Sequence, residues 1–285
     1  ADIASSGGDA SLRARSSGPW RADIAVYGQV RDFSTVNRTL DATRTVATTN
    51  LDQQKTPASG WGLRASVEPP LGQQAALSIG AEWRAVEGRT IELFRYVSGE
   101  ATRRRVAGGE QQTGGLFFDG SWRAAPELLL TAAGRIDRWH IGDGTLEETD
   151  RASGNVVLDD PSEARSGTEA SGRLGLSWRP APAIRLRAAG YRGWRLPTLN
   201  ELYRPFRAGA DATAANPDLE PERLWGGEAS VAFEPLTNAS LSATWFYNSL
   251  ENPITNVTLG QGPGNFPGVG FVAAGGFYRQ RQNLD

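Results

Sequence analysis

The sequence predicts an all-β fold, specifically the wall of a transmembrane, antiparallel, up-and-down β-barrel. Three observations carry that prediction. Apolar and polar residues alternate at period two through most of the chain. The connections between alternating stretches are short and long in strict turn. Tryptophans gather at the ends of those stretches. Period two belongs to strands with one apolar face.

Taken in order, Trp20–Asp32 presents Ala22, Ile24, Val26 and Val30 on one face and Arg21, Asp23, Tyr27 and Arg31 on the other. Trp61–Val67 opposes Trp61, Leu63, Ala65 and Val67 to Arg64 and Ser66, and Ala75–Glu87 opposes Leu77, Ile79 and Trp83 to Glu82 and Arg84. The pattern returns with Leu116, Phe118 and Trp122, then Leu128, Leu130 and Ile136, then Leu174, Leu176 and Trp178, then Ile184 and Leu186. It ends with Trp225, Val231 and Phe233, followed by Leu241, Ala243 and Trp245. With weaker candidates near Leu12–Arg15 and Phe277–Gln282, about eleven strands are expected, and no segment reads as a helix.

The short connections are Ser16–Pro19, Glu68–Gln74, Ala124–Glu127, Pro180–Ala183 and Glu234–Ala239, each with proline. The long ones are 33–59, 88–112, 140–167 and 196–222. Irregular loops beyond about 12–15 residues are uncommon in compact domains, whereas outer-membrane barrels pair short periplasmic turns with long extracellular loops. Six tryptophans (Trp20, Trp61, Trp122, Trp178, Trp194 and Trp225) fall at or beside strand ends, as expected of rings that favour the membrane–water interface. The opposite face carries Arg21, Arg64, Arg135, Arg173, Glu82, Asp137, Glu169 and Glu228. Charges like these cost about 2–4 kcal/mol each against mid-bilayer lipid, so that face is expected to turn inward.

Composition narrows the function classes. The 285 residues carry a net charge of −2, which gives no electrostatic case for nucleic acid. No cysteine is present, excluding disulfides and thiolate metal sites. No run of about 18 apolar residues marks a transmembrane helix, a test that barrel strands escape. His140 is the sole histidine and no G-x-S-x-G elbow accompanies it, so no hydrolytic triad is indicated and the chain reads as a non-enzyme without a cofactor.

One stretch is set apart. Arg195–Glu222 carries prolines at 197, 205, 217 and 221, which fix φ and hold Leu196, Asn216 and Glu220 out of helix. Glu201 and Glu222 stand among Arg195, Arg204, Arg207 and Arg223, opposite charge enough to tie the segment to itself. An ordered, non-regular connection is expected. Its two parts, Arg195, Pro197, Thr198, Glu201, Leu202, Tyr203 and then Asn216, Pro217, Leu219, Pro221, Glu222, resemble the paired motif of the TonB-dependent outer-membrane receptors.

That resemblance implies a barrel of about 22 strands with a globular plug inside it, in the bacterial outer membrane. It implies TonB-dependent uptake of a bulky, scarce nutrient, most often a ferric siderophore. No stretch of these residues reads as the plug or as the segment that TonB grips, and the sequence runs out at Asp285 within an apparent strand. It is therefore read as barrel from a larger receptor, a monomer in contact with TonB through the absent plug and with lipid and lipopolysaccharide. Ligand-facing candidates, chosen for loop position and an aromatic–cation mix, are Arg95, Tyr96, Tyr203, Arg204 and Phe206. Arg103, Arg104 and Arg105 share the first of those loops. Two other readings stay open: a passive porin or autotransporter-type barrel, and a soluble β-sandwich binding module.

Overall fold

A computed structural model describes residues 2–236 and 238–284. In chain order its elements are β1 (Asp2–Arg15), β2 (Arg21–Leu40), β3 (Ala47–Lys55), β4 (Ala58–Glu68), β5 (Ala75–Val97), β6 (Glu100–Ala125), β7 (Leu128–Ile141), β8 (Thr145–Asp150), β9 (Val156–Asp159), β10 (Arg165–Ala181) and β11 (Ile184–Arg195). Then come α1 (Leu199–Tyr203), β12 (Phe206–Ala208), β13 (Asp211–Ala214), β14 (Glu222–Leu236), β15 (Ala239–Glu251), β16 (Ile254–Gln261), β17 (Gly264–Phe266), β18 (Gly270–Val272) and β19 (Phe277–Asn283). β1 to β11, β14 and β15 form one 13-stranded antiparallel sheet in which successive long strands are neighbours. Among the described residues β1 and β15 are its open edges.

Register turns the sequence alternation into two faces. Ala75, Trp122, Leu130, Leu176, Ala188, Ala229 and Trp245 lie in one row, each paired with the next across β5, β6, β7, β10, β11, β14 and β15. Nothing packs over that row. Leu63 is 44% exposed, Ile79 48%, Leu176 37% and Trp122 54%. An apolar patch of this extent is foreign to a water-facing surface and marks contact with hydrocarbon. β6 alone has 26 residues, more than twice the roughly 9–11 that cross a bilayer.

The other face pairs many of its charges internally. Arg135 donates to Glu82 at 2.7 Å and to Asp137 at 2.6 Å, and Arg64 lies over the Phe117 ring at 4.2 Å. Arg223 donates to Glu169 at 3.0 Å, and Arg173 reaches Glu228 at 3.2 Å.

The long connections differ from expectation. Residues 88–112 are a continuous hairpin of β5 and β6, closed at Ser98 and Gly99 with φ of +50° and +85°. Within 33–59, β2 runs on to Leu40 and β3 pairs with both β2 and β5, and β8 and β9 pair within 140–167. Pairing satisfies backbone groups that an irregular loop leaves to water, which favours extending the ladder. The stretch 196–222 holds a five-residue helix where none was expected. Trp20 precedes β2 instead of lying in it, and Asp285 lies outside the described residues.

A second sheet, in the order β12-β13-β19-β16, lies beyond the long connections with the hairpin β17–β18. Its β13–β19 pair is parallel. The water-free packing is concentrated at this end. Trp139, Ile141, Leu202, Tyr203 and Leu219 form one buried cluster, and Ala212, Ala214, Val269, Val272 and Tyr278 another.

Candidate functional site

The cap starts from a helix bracketed by two prolines. Pro197 ends the approach from β11 and Pro205 forbids continuation, and both are fully buried. Between them Thr198 and Glu201 form a capping box. The Glu201 N–H donates to Thr198 Oγ1 at 3.2 Å, and the Thr198 N–H donates to Glu201 Oε2 at 2.7 Å. Arg195 then clasps the segment's two ends, donating to Glu201 at 2.9 Å and to Glu222 at 2.6 Å.

The remaining arginines of the stretch do not tie it to itself as the sequence implied. Arg204 and Arg223 reach carboxylates supplied by the wall instead, at Glu92 and Glu169.

Leu202 and Tyr203 anchor α1 in the first cluster. The Tyr203 ring lies flat on Gly109 and Gly144; a Cβ at Gly144 would stand 2.1 Å from it, so only glycine admits the ring. The motif's second part is equally structural. Asn216 Oδ1 accepts the Asp218 N–H at 3.0 Å, its Nδ2 donates to the Arg281 carbonyl at 2.8 Å, and the Leu219 carbonyl accepts Arg165 at 2.9 Å. Pro217 is half-buried and Pro221 buried beside them.

Behind α1 runs a buried ion network. Glu92, 1% exposed, accepts Arg105 at 2.8 Å on one oxygen and Arg204 at 2.8 Å on the other. Arg105 also donates to Glu148 at 2.6 Å and to the Pro205 carbonyl at 3.1 Å, with Phe94 against its face at 4.2 Å. Two cations and two anions balance. Losing one member would strand a buried charge, at a cost of about 3–5 kcal/mol.

Of the five residues expected to face a ligand, Arg95, Tyr96 and Phe206 keep exposed or half-exposed surface. Tyr203 is spent on packing, and Arg204 on Glu92. Arg105 is buried in the network, Arg103 pairs with Asp150, and His140 lies one residue from the end of β7.

Two further arginines act through backbone carbonyls, and of these Arg281 carried no local signal in the sequence. Arg281 donates to the Asn200 carbonyl at 2.9 Å and to that of Arg204 at 3.0 Å, complementing the helix's C-terminal end from far along the chain. Arg207 reaches the carbonyls of Val269 and Phe271 at 2.6 and 2.8 Å. Below the cap, a hollow of about 670 Å³ opens into the sheet's polar face between Tyr27, Arg84, Arg135 and Trp194.

A wall apolar outside and charged inside, closed by this motif, is matched by the sequence profile described as "TonB dependent receptor-like, beta-barrel" over residues 3–284. The chain belongs to the TonB-dependent receptor family. It is a β-barrel protein of the bacterial outer membrane, in a family of receptors and not of enzymes. Among TonB-dependent receptors of known structure, the copper transporter OprC superposes with a TM-score of 0.67 at 17% identity, over 98% of this chain and 42% of that one. The ferric yersiniabactin uptake receptor FyuA from Yersinia pestis gives 0.63 at 14% identity, over 88% and 37%. At such identities the likeness is one of fold. The iron-regulated outer membrane virulence protein of Vibrio cholerae is 24% identical over 224 residues, which cover 78% of this chain and 29% of that protein. This chain therefore spans well under half the length of the relatives it matches.

Proposed function

We propose that this chain forms the wall and extracellular cap of a receptor that takes up a scarce metal chelate, most simply a ferric siderophore, in a TonB-dependent step. The observation that carries the reading is the cap itself. Its elements are pinned to the inner face of β5 and β6 by Arg204, Arg105 and Glu92, directly above the charged interior. Aromatic and cationic surface remains at its edge in Arg95, Tyr96 and Phe206. A passive pore needs no such cover over its mouth. The relatives named for ferric chelates support iron over other cargo, and the copper transporter among them makes copper the necessary control.

Cells carrying the full-length gene should accumulate radiolabelled iron from a siderophore at nanomolar supply, and an uncoupler or deletion of TonB should abolish this. Uptake that persists through both treatments, or that follows copper alone, would reject the reading.

A further inference from the structure

Several arginines of the cap have carboxylate partners: Arg103 has Asp150, Arg105 has Glu92 and Glu148, and Arg204 has Glu92. Among the described residues neither Arg95 nor Arg207 has a carboxylate within ion-pair reach, and unlike Arg281, whose carbonyl acceptors lie on α1 and its C-cap, the two share an acceptor. Both converge instead on one neutral acceptor, the Val269 carbonyl, at 3.4 and 2.6 Å, and Arg207 adds the Phe271 carbonyl at 2.8 Å. All of these bonds use Nη2, so the Nε and Nη1 donors of both guanidiniums stay unmatched on side chains that keep exposed surface. Two cations held together repel, and Glu148 offsets that repulsion only in part. Partial desolvation, reinforced by Arg95 and Arg105, holds the Arg207 guanidinium below its ordinary value.

The scaffold holding the pair is built. Gly268 and Gly270, at φ of +66° and +73°, turn the tip of the β17–β18 hairpin so that the Val269 carbonyl meets both arginines. Val269 and Val272 fix that hairpin in the second buried cluster, and Phe266 stacks on Tyr278 at 4.7 Å between centroids. A Cβ on Gly270 would stand 2.1 Å from Arg95 Nη2, the free end of a flexible side chain, so alanine there would push that guanidinium away from the Val269 carbonyl.

We propose that Arg95 and Arg207 form a preorganised anion clamp at the extracellular mouth, completed when a ligand supplies clustered carboxylate, catecholate or phosphate oxygens. The β17–β18 hairpin is the positioning element of that clamp. The assignment rests on the receptor reading above and narrows its cargo to negatively charged chelates. Charge-assisted bonds to a delocalised anion are roughly twice as strong as those to a neutral carbonyl, and guanidinium planes match such oxygens in pairs. Lipopolysaccharide phosphate offers the same oxygens, so the test must separate the two sources.

The full-length receptor, reconstituted in phosphatidylcholine nanodiscs, would be titrated by tryptophan quenching with three probes: anionic ferric tris-catecholate, neutral ferric tris-hydroxamate and lipopolysaccharide micelles. The clamp predicts that Arg95→Gln with Arg207→Gln weakens catecholate binding by about 10-fold or more, while Arg207→Lys retains part of it. Gly270→Ala, with both arginines present, should also weaken binding. The same arginine dependence for lipopolysaccharide alone would assign the clamp to lipid phosphate. An anion bound equally well by the double variant would overturn the clamp, as would a preference for the neutral chelate, and either result would leave the receptor reading intact. Failure of every ferric probe and of lipopolysaccharide with the wild-type protein would overturn both.

Discussion

Arg195 shows how one side chain can hold a segment of 27 residues in shape. It joins Glu201, inside the helix, to Glu222, at the start of the strand that resumes the wall. Burial pushes the Glu201 carboxyl up, but hydrogen bonds from Arg195 and from the Thr198 N–H and hydroxyl outweigh it and hold the group below its ordinary value. A carboxyl depressed in the folded state stabilises at pH above its unfolded value, about 4.3, and loses that contribution as pH falls through the lower folded value. Protection of the amides across 196–222, relative to their intrinsic exchange rates, should therefore fall below about pH 4 while the wall stays protected. Glu201→Gln should lower that protection at neutral pH and remove its pH dependence. An unchanged profile in that variant would remove Glu201 from the account.

At the scale of elements, α1 is too short to exist by itself, since helices below about 12 residues are marginal in water. It persists because two prolines, a capping box and the anchors Leu202 and Tyr203 agree on the same five residues. Thr198→Ala removes one half of the box and should cost about 1 kcal/mol, seen as roughly fivefold faster exchange at the helix's first amides with binding retained. The prolines were legible in the sequence; the helix was not, because a single turn has no periodicity to read. The extended β5–β6 hairpin escaped for a related reason. Its outer half, Glu92–Arg105, carries charge on the inward face and mixed residues on the other, so polarity imitated a loop although Ser98-Gly99 marked the turn.

For the molecule as a whole, the wall was readable and the cap was not. Alternation is a local property, written every second residue, and the observed register preserves it row by row. The cap depends on partners such as Glu92 with Arg204 and Asn216 with Arg281, 112 and 65 positions apart, and no local pattern announces such pairs. The two-faced wall also makes a prediction. Leu130→Arg, on the outward row, should destabilise folding into lipid by about 2–4 kcal/mol. Leu129→Arg, one position along and on the inner face, should cost far less, as read from urea-dependent refolding into vesicles. Equal losses would mean that the faces have been assigned wrongly.

The wall's outer residues meet a fluid, and a fluid reshapes itself around whatever touches it. Leucine, isoleucine, valine and phenylalanine are then nearly interchangeable there, since no facing side chain must interlock with them. Tyr203 has no such latitude, being seated on two glycines. Sequence is free to drift along the barrel's greasy exterior and is held still at its rim, so a short run of letters at 195–222 betrays the kinship of a chain about ten times as long.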